Sequence, residues 1–333
     1  MYKVVSLFSG CGGCDQGIIG GFDFNNTHYN QLPFELVYAS DIDQKALNTH
    51  KLNFQCENVV CGNICDIPSE QIPDHDVLIG GFPCQSFSTV NPTKDPFDDR
   101  ANLYKQMVRI AKDKQPKVII AENVKGLMTL HNGEIFKKVK NAFQRAGYTL
   151  TYKLVNAADY GVPQKRERMI MVGFRKDLNI SFEFPEKTNA DNWVPLSVAV
   201  HQLAIPEQKY YFSQKAVEGM KNAKPNMKRG LWQKLDEPCL TVTSHLAKVS
   251  LNSRDPVLLV DPETELYRRF TPREAARIQS FPDSFEFAGS ETDAYRQIGN
   301  AVPPVLFWHI ANQVANQLRL KEKNESEKHT KRE

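Results

Sequence analysis

The sequence predicts an α/β fold: a doubly wound, mostly parallel sheet joined to a second, smaller and less regular domain. Three observations point there. Val77–Ile79 and Val118–Ala121 are apolar without alternation, as strands covered on both faces must be. Segments of helical period lie between such runs, and strands alternating with helices wind a parallel sheet. From about Phe184 to about Ala294 that rhythm stops, giving way to scattered Pro, Asn and Lys and two of the three tryptophans.

In chain order, Lys3–Phe8 is a short apolar strand broken by the turn Ser9-Gly10-Cys11-Gly12-Gly13, and Asp15–Ile19 is helical. Leu36–Ala39 reads as a strand ending at Asp41-Ile42-Asp43, followed by a helix over Gln44–Leu52. Leu103, Met107 and Ile110 share one helical face between the two buried strands. Ile135, Val139 and Phe143 do so in the next helix, which Gly147 ends. A last helix spans Pro304–Leu318, with proline in its first turn, and the charged Lys321–Glu333 reads as a disordered tail. The division expected is 1–184 for chemistry, 185–294 for the irregular domain, 295–320 returning to the first, and 321–333 as tail.

A chain of 333 residues exceeds what one core usually organises, so two domains are expected. With 41% hydrophobic and 24% charged residues it has the composition of a soluble globular protein. The net charge of +3 does not by itself imply a nucleic-acid partner; local basic clusters matter more. No leader pattern opens the chain and no run is long enough to span a membrane. Seven cysteines leave at least one thiol without an intrachain partner, which suits a reducing cytoplasm.

The glycine turn after the first strand suits a nucleotide-bearing cofactor, because Gly10 and Gly12 let a ligand approach the backbone. Asp41, ending the second strand, is placed to bind ribose hydroxyls. The third glycine of G-x-G-x-x-G is replaced by Asp15, so the dinucleotide pattern is incomplete. S-adenosylmethionine, which has no pyrophosphate, tolerates that departure, and the loop alone leaves both cofactors open. Cys11-Gly12-Gly13-Cys14 also admits a redox pair, or a zinc site with Cys56, Cys61 and Cys65. The plain alternative is that small cysteines fill tight space beside glycine. No second C-x-x-C or histidine pair completes a zinc set, and no metal is expected.

Pro83-Cys84 ends the apolar run from Val77, where an open sheet puts reactive residues. Glu122-Asn123-Val124 ends the next buried strand, and Gln164-x-Arg166-x-Arg168 follows. These groups suit attack on a pyrimidine. Carbon 5 of cytosine is a poor nucleophile until a thiolate adds to carbon 6. The ring then needs a proton donor at nitrogen 3 and a partner for oxygen 2. Cys84, Glu122 and Arg168 fit those three tasks, with Arg166 paired beside Arg168. A carboxyl that donates near neutral pH needs burial, and a guanidinium fork suits a fixed carbonyl oxygen. Singly, each has a structural explanation: a buried Pro-Cys, a turn cap, a solvated hairpin edge. Their joint order with the glycine loop and Asp41 carries the functional reading.

On these motifs the chain resembles the DNA cytosine-5 methyltransferases over roughly Lys3–Phe184 and Arg268–Leu318. Phe8-Ser9-Gly10-Cys11-Gly12-Gly13, Gly81-Phe82-Pro83-Cys84-Gln85-Ser86, Glu122-Asn123-Val124, Gln164-x-Arg166-x-Arg168 and Gln297-Ile298-Gly299-Asn300-Ala301-Val302 carry the similarity. The resemblance implies a Rossmann-like, S-adenosylmethionine-dependent methyltransferase sheet with a target-recognition domain. It implies that Phe8 and Ile42 flank the adenine, Asp41 holds the ribose, Leu103 lines the pocket beside Phe82 and Pro83, and Asn300 and Val302 close it. Asn63, beside Ile64, stands where the family usually has aspartate; its carbonyl still accepts a hydrogen bond from the adenine amino group, and Asp66 is the other candidate.

The resemblance further implies flipping of a cytosine out of duplex DNA; the Ser86–Asp99 loop, with Pro92 and Pro96 and no apolar periodicity, is then expected to close over it, with Gln85, Ser86 and Ser88 meeting DNA. In the middle region Lys221, Lys224, Lys228, Arg229 and Lys234 surround Trp232, and Thr241-Val242 resembles the family's short threonine motif. Lys228, Arg229 and Thr241 are the DNA contacts expected, although such a lysine run is ordinarily a solvated face. The target sequence is not readable. The expected setting is a bacterial or phage restriction–modification system, with a monomeric enzyme and a cognate endonuclease acting on the same site without binding it. The alternatives are a tRNA cytosine-5 methyltransferase, whose recognition region has Cys-Phe-Thr where this chain has Cys239-Leu240-Thr241, a silent DNA-binding module, and a thioredoxin-like redox protein.

Overall fold

The computed structural model describes residues 1–83, 103–200, 205, 207–222, 232–251 and 255–330. β1 (Tyr2–Leu7) runs into α1 (Gly13–Ile19). A hairpin of β2 (Phe22–Phe24) and β3 (Thr27–Tyr29) follows, turned by Asn25 and Asn26 at φ 47° and 58°. Two positive φ values in a two-residue loop are what a tight hairpin requires, and asparagine tolerates them. Then come β4 (Phe34–Asp41), α2 (Gln44–Asn53), β5 (Asn58–Cys61) and β6 (Val77–Gly80). α3 (Leu103–Lys114), β7 (Val118–Val124), α4 (Glu134–Arg145), β8 (Tyr148–Asn156), β9 (Gln164–Lys165) and β10 (Glu167–Arg175) complete the first region.

Seven strands form the main sheet in the order β5-β4-β1-β6-β7-β10-β8. The five from β5 to β7 are parallel, and β10 enters antiparallel between β7 and β8. Both faces are covered, as the apolar runs require. Val4, Val77, Ile79, Val118 and Ile120 pack on one side with α1 and the C-terminal helix. Val5, Leu78, Ile119 and Ala121 pack on the other with Met107 and Ile110 of α3 and Val139 and Phe143 of α4. Alternate residues of each strand thus enter different cores, so the strands need no polar face. Gly147, at φ 105°, ends α4 in the left-handed conformation.

Beyond Phe184 lie α5 (Gln214–Lys221), β11 (Trp232–Gln233), β12 (Cys239–Leu240), β13 (Val257–Asp261) and β14 (Leu266–Arg268). β11, β13 and β14 form a small sheet, while β12 instead pairs parallel with β9. α6 (Pro272–Ile278) and α7 (Glu291–Asn300) begin with capping boxes, Thr271 with Glu274 and Ser290 with Asp293. Buried Arg268 grips Glu274 through both Nη atoms, at 2.8 and 2.7 Å. Leu196, Val242, Leu246 and Leu258 share one core with Phe270, Phe281, Tyr295 and Ile298, and Cys11 joins it from the glycine turn.

α8 runs from Pro304 to Thr330. This corrects the expectation of a disordered tail from Lys321: the helix continues through ten of those residues, 321–330. Lys321–Glu325 and Lys323–Glu327 pair across one turn, and Lys and Glu are good helix formers that need no burial once a packed helix precedes them.

Candidate active site

The chain leaves β1 for β4 and β5 on one side and returns for β6 and β7 on the other, so the strand order reverses at β1. Open sheets bind ligands at the carboxyl ends beside such a point. All the groups lie there: Phe8 follows β1, Asp41-Ile42 spans the end of β4, Gly81–Pro83 follows β6, and Glu122-Asn123 lies in the last residues of β7.

Asp41 organises the glycine turn. Its Oδ2 accepts the Gly10 N–H at 2.8 Å, and its Oδ1 accepts the Asp43 N–H at 2.9 Å. Burial pushes its carboxyl above the usual value, against these two bonds. Asp43 then caps α2 by accepting from Lys45 and Ala46. Ion pairs tie this turn to α7, Lys45 to Asp293 and Arg296 to Asp43, each at 2.9 Å. Phe8 takes φ 54°, a costly conformation for a bulky residue, which occurs where surroundings over-determine the backbone.

Two glycines in this turn do different things. A Cβ on Gly10, at φ 55°, would meet nothing within 4 Å, so open space lies above it. A Cβ on Gly13 would stand 2.4 Å from the Val302 carbonyl oxygen, so the return segment rests directly on the loop. Ile42 beside Asp41 is 73% exposed, an apolar surface at the rim. Open space, an exposed aliphatic side chain and a carboxylate fit a nucleoside-bearing group. Asn63 is exposed, and its carbonyl accepts from the Cys65 N–H at 3.1 Å, leaving one lone pair; Ile64 next to it is buried and Asp66 is exposed. Leu103 begins α3 and packs with Phe8 against the same core as Phe82. Pro83 is half-buried, Asn300 exposed at the end of α7, and Val302 buried.

Asp15, standing where a third glycine would fall, points away from this space. It is fully buried, with Oδ2 3.3 Å from His50 Nε2. Cys11 is buried too, its Sγ donating to the Gln297 carbonyl at 3.7 Å, and burial pushes its thiol up to about 12. Such a thiol is inert near neutral pH and fills space. The six described cysteines are all free.

Glu122 lies near the carboxyl end of β7, two residues before its last, with its side chain 13% exposed. Its Oε1 lies 3.0 Å from Arg168 Nε, and its Oε2 lies 3.1 Å from where a Gly81 Cβ would be. The absence of a side chain at Gly81 lets the carboxyl lie against the segment leading to Pro83. Burial pushes the Glu122 carboxyl up, and nearby Arg168 and Arg166 only partly offset this. Asn123 Nδ2 donates to the Phe82 carbonyl at 2.8 Å and holds that segment from below. The arrangement can present a protonated carboxyl and a guanidinium edge side by side to a flat polar ring. Cys84, Gln85, Ser86, Ser88, Lys228 and Arg229 lie outside the described residues.

The sequence pairs Arg166 with Arg168, but the structure parts them. Arg166 is 2% exposed. Its Nη1 donates to the Val242 carbonyl at 3.0 Å and its Nη2 to Gly299 and Ala301 at 3.1 and 2.9 Å. Its fork is therefore occupied by three carbonyls, and Arg168 alone meets Glu122. Thr241 Oγ1 donates inward to the Lys165 carbonyl at 2.8 Å. Gln164 Oε1 accepts the Val242 N–H at 2.9 Å, and Gln164 Nε2 donates to Gln279. Asn123, Gln164 and Gln279 were not among the expected site residues. Asn123 and Gln164 lie inside the motifs already singled out, whereas Gln279 carries no comparable signal, since Arg277 and Ser280 beside it are polar as well.

A family model described as C-5 cytosine-specific DNA methylase matches residues 2–316. Type II methyltransferase M.FnuDI of Fusobacterium nucleatum is 36% identical over 347 residues, covering 98% of this chain and 97% of that protein. Type II methyltransferase M.NgoPII of Neisseria gonorrhoeae is 34% identical over 339 residues, covering 93% and 94%. In fold, the chain is similar to a Spodoptera frugiperda DNMT2 variant, with TM-score 0.72 at 19% identity over 94% of this chain and 99% of that one.

Proposed function

The chain belongs to the C-5 cytosine-specific DNA methylase family and is a DNA cytosine-5 methyltransferase, and we propose that it works on a cytosine flipped out of duplex DNA through a covalent bond between Cys84 and carbon 6. The observation that carries this reading is the Glu122–Arg168 pair at 3.0 Å, its carboxyl lying against Gly81, two residues before Pro83 in the sequence.

In this reading the Cys84 thiolate adds to carbon 6 while Glu122, kept protonated by burial, donates to nitrogen 3. Arg168 binds oxygen 2 and holds the Glu122 carboxyl in plane with the ring. Electron density then moves to carbon 5, which becomes nucleophilic; after methylation a base takes the carbon 5 proton, the thiolate leaves carbon 6, and nitrogen 3 returns its proton to Glu122, which restores the ring and the enzyme. S-adenosylmethionine supplies the electrophilic methyl group when bound. Asp41 would hold its ribose, Phe8 and Ile42 its adenine, and Asn63 or Asp66 the adenine amino group, with Ile64, Phe82, Pro83, Leu103, Asn300 and Val302 enclosing it above Gly10 and Gly12. Burying those surfaces excludes water from the reacting atoms.

Residues 1–184 and 295–320 form the chemical unit in this proposal, and 185–294 read the sequence. Gln85, Ser86, Ser88, Lys228, Arg229 and Thr241 are its DNA contacts, the basic pair on phosphates. The Type II names of its relatives support a place in a bacterial or phage restriction–modification system, as a cytoplasmic monomer with an endonuclease acting independently on the same site. Among the described residues no helix is long and apolar enough to cross a membrane.

The experiment is transfer of labelled methyl from S-adenosylmethionine to random-sequence duplex DNA, with the modified positions mapped. Methyl groups at carbon 5 of cytosine within one short sequence support the reading. Label confined to RNA would instead favour the tRNA alternative.

A further inference from the structure

We propose that Arg166 is a positioning residue that links the cofactor pocket to the DNA-reading segment Cys239–Thr243, so that filling the first orders the second. The inference rests on the function proposed above. Arg166 is nearly wholly buried and reaches two separate chain segments. One end of its fork holds the Val242 carbonyl, and the other holds the carbonyls of Gly299 and Ala301.

A second side-chain path runs parallel to the first. Gln164 accepts the Val242 N–H and donates to Gln279, whose Nε2 donates to the carbonyls of Ile298 and Ala301 at 2.8 and 2.9 Å. Val242 is therefore gripped at both its N–H and its carbonyl by side chains that also grip, or reach through Gln279, the return segment. The two backbones also touch: a Cβ on Gly299 would stand 2.1 Å from the Thr243 carbonyl carbon. On its far side the return segment rests on the glycine turn through Val302 and Gly13.

The physical consequence follows from burial. Three charge-assisted bonds to a cation withdrawn from water cannot be loosened singly without stranding charge or carbonyl. Gly299–Ala301 and Val242 must then move together or not at all. A ligand that fixes Asn300 and Val302 reduces the freedom of Val242, and the coupling is reciprocal: DNA that fixes Val242 favours the ligand.

The test is amide hydrogen exchange of the full chain with and without saturating S-adenosylhomocysteine, binding being checked by calorimetry. Exchange at Cys239 and Val242 should slow by roughly tenfold on saturation, within the span of about 5- to 150-fold of ordinary coupling. Val257–Asp261 should change much less. Arg166→Lys keeps the charge but lacks the fork, and should bind the ligand while losing most of that slowing. Gln279→Met cuts the parallel path at similar volume, should lose part of it, and carries the comparison if the lysine variant does not fold. No slowing in the saturated wild type, or full slowing in every folded variant, overturns the proposal. If the wild type binds no S-adenosylhomocysteine, the functional reading fails and this inference with it.

Discussion

Glu122 and Arg168 face each other from adjacent antiparallel strands, carboxylate Oε1 to guanidinium Nε at 3.0 Å. In register, Glu122 sits opposite Ile170 and Arg168 opposite Val124, so the pair is diagonal across the β7–β10 ladder. Two rigid central strands thus fix the distance between a proton donor and a carbonyl-binding cation. Placement on strands is more exact than placement on loops.

Replacing Glu122 with Gln keeps the shape and an amide donor but removes the acid. Methyl transfer should fall by roughly 10²–10⁴-fold, the usual contribution of general acid catalysis, while DNA affinity persists. A gel-shift titration beside a rate measurement separates the two. Equal losses in both would mean that Glu122 binds DNA rather than protonating the base.

The same carboxyl makes stability depend on pH. Its folded pKa is raised, chiefly by burial, so between the ordinary and raised values the folded chain holds a proton that the unfolded chain has released. Stability from this group is full below the ordinary value and falls as pH rises through the raised one. Urea midpoints measured from about pH 4 to about pH 7 should show this falling component in wild type and lose it in Glu122→Gln. Parallel curves for the two proteins would show that Glu122 ionises normally.

Asp41→Ala removes an expected ribose acceptor and also frees the Gly10 and Asp43 N–H groups it now holds. Cofactor affinity measured by calorimetry should weaken by about 1–3 kcal/mol, the cost of buried polar groups left unpaired. Unchanged affinity removes Asp41 from the pocket.

Gly13→Ala puts a methyl group 2.4 Å from the Val302 carbonyl, backbone that cannot swing aside. It should cost about 1–3 kcal/mol of stability, as overpacking does, and weaken cofactor binding as the return segment lifts. A thermal transition and affinity both matching wild type would show that the segment does not rest on Gly13.

Much of this was legible because the chemistry sits at strand ends and the strands declare themselves. Val77–Ile79 and Val118–Ala121 could be apolar throughout only if covered on both faces, which places Pro83 and Glu122 at carboxyl ends of a parallel sheet. Arg166 was misleading for a physical reason. Two residues apart on an unbroken strand, it and Arg168 would share a face, but the strand breaks between β9 and β10. Arg166 N–H bonds back to the Gln164 carbonyl at 3.0 Å, a three-residue kink that redirects its side chain. The extension of α8 past Lys321 was hidden because charged composition alone resembles a solvated tail, and only the packed helix before it supplies the nucleus. The Phe22–Tyr29 hairpin carried a signal in Asn25-Asn26, masked by strands of three residues each.

The central claim is covalent catalysis by Cys84, and the most direct measurement is trapping on duplex DNA carrying 5-fluorocytosine at the mapped target. Fluorine cannot leave as a proton does, so the adduct should persist with S-adenosylmethionine present and peptide mapping should locate it at Cys84, with Cys84→Ser giving none. An adduct at Cys11, Cys14 or Cys239, or methyl transfer undiminished in Cys84→Ser, would contradict the account.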